Sequence, residues 1–84
     1  MNTTEFAYME KFPEGSQVKI ADLPFLDNFL NTWKYHHKLE PHQLKYADKV
    51  ATVKLVGFYH GGDILYELEG VPGTWHEQCL RATT

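Results

Sequence analysis

The chain has one cysteine, Cys79, and one arginine, Arg81, among 84 residues, and each shortage closes off a class of protein. A lone thiol excludes an internal disulfide and fits a reducing compartment. A lone arginine argues against a nucleic-acid groove, which draws on arginines interleaved with exposed aromatics. No apolar run approaches the ~20 residues that cross a bilayer. The opening MNTTEFAYMEKF lacks the early basic cluster and apolar core of a secretory leader. The expectation is a cytoplasmic protein with neither nucleic acid nor membrane as a partner. At this length there is material for one domain, 1–84, with one hydrophobic core.

The formal net charge of −3 is unevenly spread. Lys34, Lys38, Lys45, Lys49 and Lys54 stand against only Glu40 and Asp48 between Trp33 and Lys54, so the middle of the chain is basic and the rest acidic. A solvated lysine surface accounts for this; orientation of an acidic partner is the sharper reading.

Residues 1–16 form an N-terminal arm and turn. Phe6, Met9 and Phe12 fit a helical spacing, Phe6 and Tyr8 a strand, and the cluster Pro13, Glu14, Gly15, Ser16 makes the turn. Residues 17–21 alternate polar and apolar as a first strand, with Val18 and Ile20 on one face.

A helical insertion follows over 22–48. Asp22 is placed to cap a helix with Pro24 in its first turn, and Leu26, Phe29, Leu30 and Trp33 recur along one stripe. Lys34, His36, His37 and Lys38 fall where they would suit the negative end of the helix dipole, and Glu40-Pro41 stops the helix. A shorter turn runs from Pro41 to Tyr46 with Leu44 facing inward.

From Val50 the period changes to two. Ala51, Val53 and Leu55 share a face, Gly57 marks a bulge or bend, and His60-Gly61-Gly62-Asp63 is a hairpin. Ile64, Tyr66 and Leu68 form the inward face of the next strand, with Glu67 and Glu69 outside. Gly70-Val71-Pro72-Gly73 reads as a second hairpin with Pro-Gly at its centre. Thr74–Glu77 is a short strand, and Gln78-Cys79 is a tight turn that returns Leu80 to the core. Trp75 is expected inside as the partner of Leu80 rather than as a ligand platform.

This order of elements, carried by FPEGSQVKI, GFYHGGDILYEL and WHEQCL, resembles an SH3-like barrel: mainly β, five strands, with the helices between strands 1 and 2. Tyr46, Gly57, Gly61, Gly62, Leu65, Tyr66 and Trp75 are similar to a run in the C-terminal barrel of the nitrile hydratase beta subunit. Val56, Gly57, Phe58 and Tyr59 are similar to a run in the plasmid-borne type II dihydrofolate reductases. Each match covers about 40 residues and implies a fold rather than a chemistry. Where the reductases carry a Val-Gln-Ile-Tyr run in their pore, this chain has Thr74, Trp75, His76 and Glu77, so folate and nicotinamide do not carry over. The nitrile hydratase likeness implies a docking role without catalytic residues. The reductase likeness suggests a bacterial chain of the kind carried in mobile gene cassettes.

Two constellations invite a chemical reading. His36, His37, His42, His60 and His76 are five potential zinc ligands, but no cysteine or acid completes a set at helical spacing. No metal or cofactor is therefore expected. His76, Glu77 and Cys79 contain the parts of an activated thiol, yet strand neighbours face opposite ways, and a free cysteine usually serves as a small buried hydrophobe. No catalytic residue is assigned.

The aromatic content is the remaining signal. Twelve aromatic residues exceed what so small a barrel encloses. The insertion helix is expected to lie across an open barrel end and hide Phe29 and Trp33, leaving Phe25, Tyr35 and Tyr59 as a patch flanked by lysines. The resulting expectation is a non-catalytic module that binds a protein partner or a second copy of itself through Phe25, Phe29, Trp33, Tyr35, His36, His37 and Tyr59. The alternative is a small-molecule-binding oligomer or small enzyme with Tyr59, His60 and His76 lining a pocket between helix and barrel.

Overall fold

The computed structural model describes residues 10–59 and 62–83. Five strands, β1 (Gln17–Ile20), β2 (Val50–Phe58), β3 (Ile64–Leu68), β4 (Val71–His76) and β5 (Leu80–Ala82), form one antiparallel sheet in the order β4-β3-β2-β1-β5. Helix α1 (Leu23–Thr32) and a 3-10 helix (Pro41–Tyr46) lie between β1 and β2, and a 3-10 turn (Glu77–Cys79) joins β4 to β5. The sheet is not closed into a barrel: among the described residues, β4 and β5 each pair on one side only. The aromatic spacing over Phe6, Tyr8 and Met9 lies outside the described residues.

The long strand β2 is shared. Its first half pairs with β1, through Val18↔Ala51, and its second with β3, through Val56↔Tyr66. The changeover carries a bulge, since Val53 faces Leu68 and Leu55 faces Glu67, leaving Lys54 as the extra residue. This corrects the expected face. Ala51 and Val53 point inward, but Leu55 points out and is 48% exposed. The bend predicted at Gly57 lies instead at Lys54.

The second hairpin is also displaced. Its two connecting residues are Glu69 and Gly70, with Gly70 at φ +74, between Leu68 and its partner Val71. Pro72 and Gly73 belong to β4, where the register slips by two residues between Leu68↔Val71 and Tyr66↔Trp75. Proline in an edge strand costs no ladder bond, which is why the Pro-Gly pair fits there. On β3, Leu65 is buried along with Tyr66 and Leu68, while Ile64 is only half-buried.

Asp22 caps α1, its Oδ1 accepting from the Phe25 N–H at 3.0 Å. The helix stops at Thr32 rather than near Glu40. Asn31 and Thr32 have low helix propensity and turn their side chains onto the carbonyls of Asp27 and Asn28, at 2.9 and 2.8 Å. Trp33 then ends the helix, its indole N–H donating to the His36 carbonyl at 2.7 Å. Lys34, His36, His37 and Lys38 consequently lie in an irregular segment, not in the last helical turn.

The core gathers Val18 and Ile20 from β1, Leu26 and Phe29 from α1, Val53, Tyr66 and Leu68 from the meander, and Trp75 with Cys79 and Leu80 at the end. Trp75 is fully buried. In the 3-10 helix the residue that turns in most completely is Gln43, at 1% exposure, while Leu44 is half-buried. The Gln43 amide accepts from the Glu40 N–H at 2.8 Å and donates to the Thr74 carbonyl at 3.2 Å. It thereby occupies the open edge of β4. At the opposite edge, the Arg81 guanidinium bonds the carbonyls of Gln78 and Leu80, at 2.6 and 3.0 Å, and lies over the Phe25 ring.

Candidate functional site

The meander positions one side chain row on its outer face. Leu55 and Gly57 on β2 oppose Glu67 and Leu65 on β3, and Leu65 opposes His76 on β4. By the two-residue period these share a face, with Val56, Tyr66 and Trp75 on the other. At the row of Leu65 and His76 the sheet is covered on both sides, since Leu65 and His76 are buried as well as Tyr66 and Trp75 behind them.

The outer cover is the segment from Trp33 to His37, together with Phe29. The His76 ring has its centroid 4.8 Å from Trp33, 5.1 Å from Phe29 and 5.7 Å from His36. Its Nε2 donates to the His37 carbonyl at 2.9 Å, because a carbonyl can only accept. His37 reaches this position at φ +51, in the left-handed region where histidine is tolerated better than most side chains. His36 stacks on Tyr59 with ring centroids 3.8 Å apart, and its Nε2 lies 2.8 Å from Asp63 Oδ2. The two atoms are close without an aligned hydrogen bond, the buried His36 Nε2 having no such partner among the described residues.

The residues expected at a partner surface thus divide. Phe25, Phe29 and Trp33 stack in sequence, at 6.4 and 5.4 Å, but Phe29 is core, and Phe25 and Trp33 are half-buried. Tyr35, 70% exposed, packs edge-on against Trp33. His37 and Tyr59 are exposed and lie together, rings 5.4 Å apart, with His36 half-buried behind them. Of the expected pocket residues, His60 lies outside the described residues, and Tyr59 and His76 line neither of the grooves that the structure forms here.

Those grooves meet at His37 and Thr74. One, of about 160 Å³, has Leu55, Gly57, Leu65 and Glu67 as its floor. The other, of about 410 Å³, runs past Lys38, Glu40 and His42 to Gln43 and Gly73. Nothing in the sequence marks Leu55, Leu65 and Thr74 as site residues, because an alternating strand does not say which face will be half-covered. Asp63 sat in a glycine-rich turn that read only as a turn.

Electrostatics separates the ionisable groups by role. Burial pushes the His76 imidazole below its ordinary value; its bond to the His37 carbonyl opposes this, and His36 nearby adds to it. Burial likewise pushes the Cys79 thiol up to about 12, leaving it protonated and inert. The Tyr66 phenol is raised by burial and by donating to Glu77, whose same oxygen accepts the Lys11 N–H at 3.0 Å. Glu77 therefore anchors the N-terminal arm, and His76, Glu77 and Cys79 form no proton relay. Among the described residues no group of three His, Cys, Asp or Glu side chains is arranged to hold a metal ion. Nor is any helix among them long and apolar enough to cross a membrane. Comparison with protein-family models, with curated proteins and with solved structures gave no match.

Proposed function

We propose that this chain is a non-catalytic interaction module that docks a protein partner on the outer face of its meander. The observation that carries the reading is a set of exposed apolar side chains: Leu55 stands 48% exposed beside a groove whose wall is His37, with Tyr59 at the end of β2 against His37 and the 70% exposed Tyr35 on the covering segment. Large apolar side chains clustered around a groove are the composition of an interface rather than of a solvated surface. The blocked edges of β4 and β5 favour docking on a face over addition of a strand. Lys34 on that segment and Lys38 just beyond it would suit an acidic rim on the partner.

The SH3-like reading of the fold belongs here as well. It is supported by the strand order and by the single 3-10 turn before the last strand. The alternative, a small ligand held between insertion and sheet, has the two grooves in its favour and no convergent set of polar groups among the described residues.

A photo-crosslinking amino acid at position 55, with another at the exposed Leu23 on α1 as control, tests the proposal in the native cell. Capture of a discrete protein from position 55 and not from position 23 is expected. A crosslinked dimer of the chain would assign the face to self-association. Equal, diffuse labelling from both positions would remove the proposal.

A further inference from the structure

Imidazoles fasten much of the segment that covers His76. His76 on β4 holds the His37 carbonyl, His36 is wedged between Tyr59 at the end of β2 and Asp63 before β3, and the Trp33 indole closes onto the His36 carbonyl. The three histidine rings lie close together, His36 being 5.5 Å from His37 and 5.7 Å from His76. Asp63 is the carboxylate among the groups that face His76, the others being His36 and His37.

We propose that the segment from Trp33 to His37 is an acid-released clamp, closed over His76 when the rings are neutral and lifted from β4 when His76 is charged. One carboxylate compensates one imidazolium. Asp63 lies against His36, 2.8 Å from its Nε2, and not against His76. A proton on His76 has no carboxylate in contact among the described residues and is buried beneath Trp33 and Phe29, beside the His36 ring. The bond to the His37 carbonyl favours the charged ring, but burial outweighs it. Lifting the segment gives His76 water and takes Trp33 off the core residue Phe29, while Tyr66 and Trp75 stay packed on the opposite face of the sheet. Imidazole is the side chain whose ordinary titration falls between about pH 5 and pH 8, which is where such a device would act.

The Trp33 indole N–H reports the clamp and the Trp75 indole reports the inner core. Exchange of both is followed by nuclear magnetic resonance from about pH 8 to about pH 5, corrected for intrinsic pH dependence. In the wild type, Trp33 protection is expected to fall at least tenfold, on the order of one opening equilibrium, while Trp75 stays protected. His76→Gln, which keeps a neutral donor, should hold Trp33 protection flat. Asp63→Asn, which strips compensation from His36, should move the release up by about one pH unit. Loss of both indole signals together, or the same release in His76→Gln, would overturn the proposal. If His76→Gln does not fold, the direction of the shift in Asp63→Asn decides: no shift, or a downward one, refutes it.

Discussion

Gln43 and Gly73 are fitted to each other. A Cβ built on Gly73 would stand 2.7 Å from Gln43 Nε2, the atom that donates to the Thr74 carbonyl, and Gly73 itself is at φ +97. The glycine supplies both the backbone conformation and the empty volume that let a buried amide close the edge of β4. Gly73→Ala is therefore expected to lower stability by about 2–3 kcal/mol, from left-handed strain and displacement of the Gln43 hydrogen bond. Gly57→Ala, with open space at its Cβ and no positive φ, should change stability by less than about 0.5 kcal/mol. Urea denaturation of the two variants side by side measures the contrast, and equal effects would sink the account of Gly73.

Gln43 serves two backbone groups that have few other options. Gln43→Leu removes the acceptor for the Glu40 N–H and the donor to the Thr74 carbonyl, and a cost of about 2 kcal/mol is expected for leaving them unpaired. Hydrogen exchange at the Glu40 amide should accelerate well beyond that at Leu26 on α1, and a uniform acceleration would contradict a local role.

The arm is tied down at Glu77. Tyr66→Phe removes the phenol that donates to it and Glu77→Leu removes the acceptor shared with the Lys11 N–H. Tyr66→Phe should cost about 1–2 kcal/mol. Glu77→Leu should in addition free the Lys11 amide, read as lost exchange protection. The Tyr66 phenol should not ionise in the folded state, because burial and Glu77 both raise it, so its phenolate absorbance appears only with unfolding.

Stability should depend on pH through His76. Its folded value lies below the ordinary 6.5, so the unfolded chain binds more protons than the folded one in this range. Its neutral form thus contributes stability fully above pH 6.5, and that contribution is lost as pH falls through the lowered value. Urea midpoints across this window should drop on acidification, less so in His76→Gln. A rise on acidification would reverse the assignment of burial as the cause.

Cys79 should react with a thiol reagent only as fast as the protein unfolds. The side chain is fully buried and its thiol is held up to about 12, so thiolate at neutral pH is scarce. Fast modification under native conditions would show that the turn Glu77–Cys79 opens by itself.

Much of the fold was readable from local chemistry. Asp22 with Pro24 marks a helix start whatever the rest of the chain does, and the buried pair Trp75 and Leu80 follows from the spacing of large apolar residues around a tight turn. The misread positions have a common cause: each depends on a neighbour distant in sequence. Lys54 is a bulge because β2 changes partners there. Gly73 curves because Gln43 occupies its space, and beyond α1 the chain turns so that Trp33 packs on His76 of β4. For the candidate site, the aromatic surplus drew attention to the segment that packs on β4. Which rings would be spent on the core, as Phe29 is, and which sheet face would stay open beside Leu55 were settled only by the packing of that segment on β4.

The extra residue in β2 has a consequence for how such a chain could vary. Without Lys54, Val53 would still point in, Leu55 out and Val56 in, since the bulge adds one position between residues that already alternate. The residue encodes curvature and leaves the burial pattern unchanged. Two chains of this design, one residue different in length, would share a hydrophobic core and differ in how their outer faces bend toward whatever they meet.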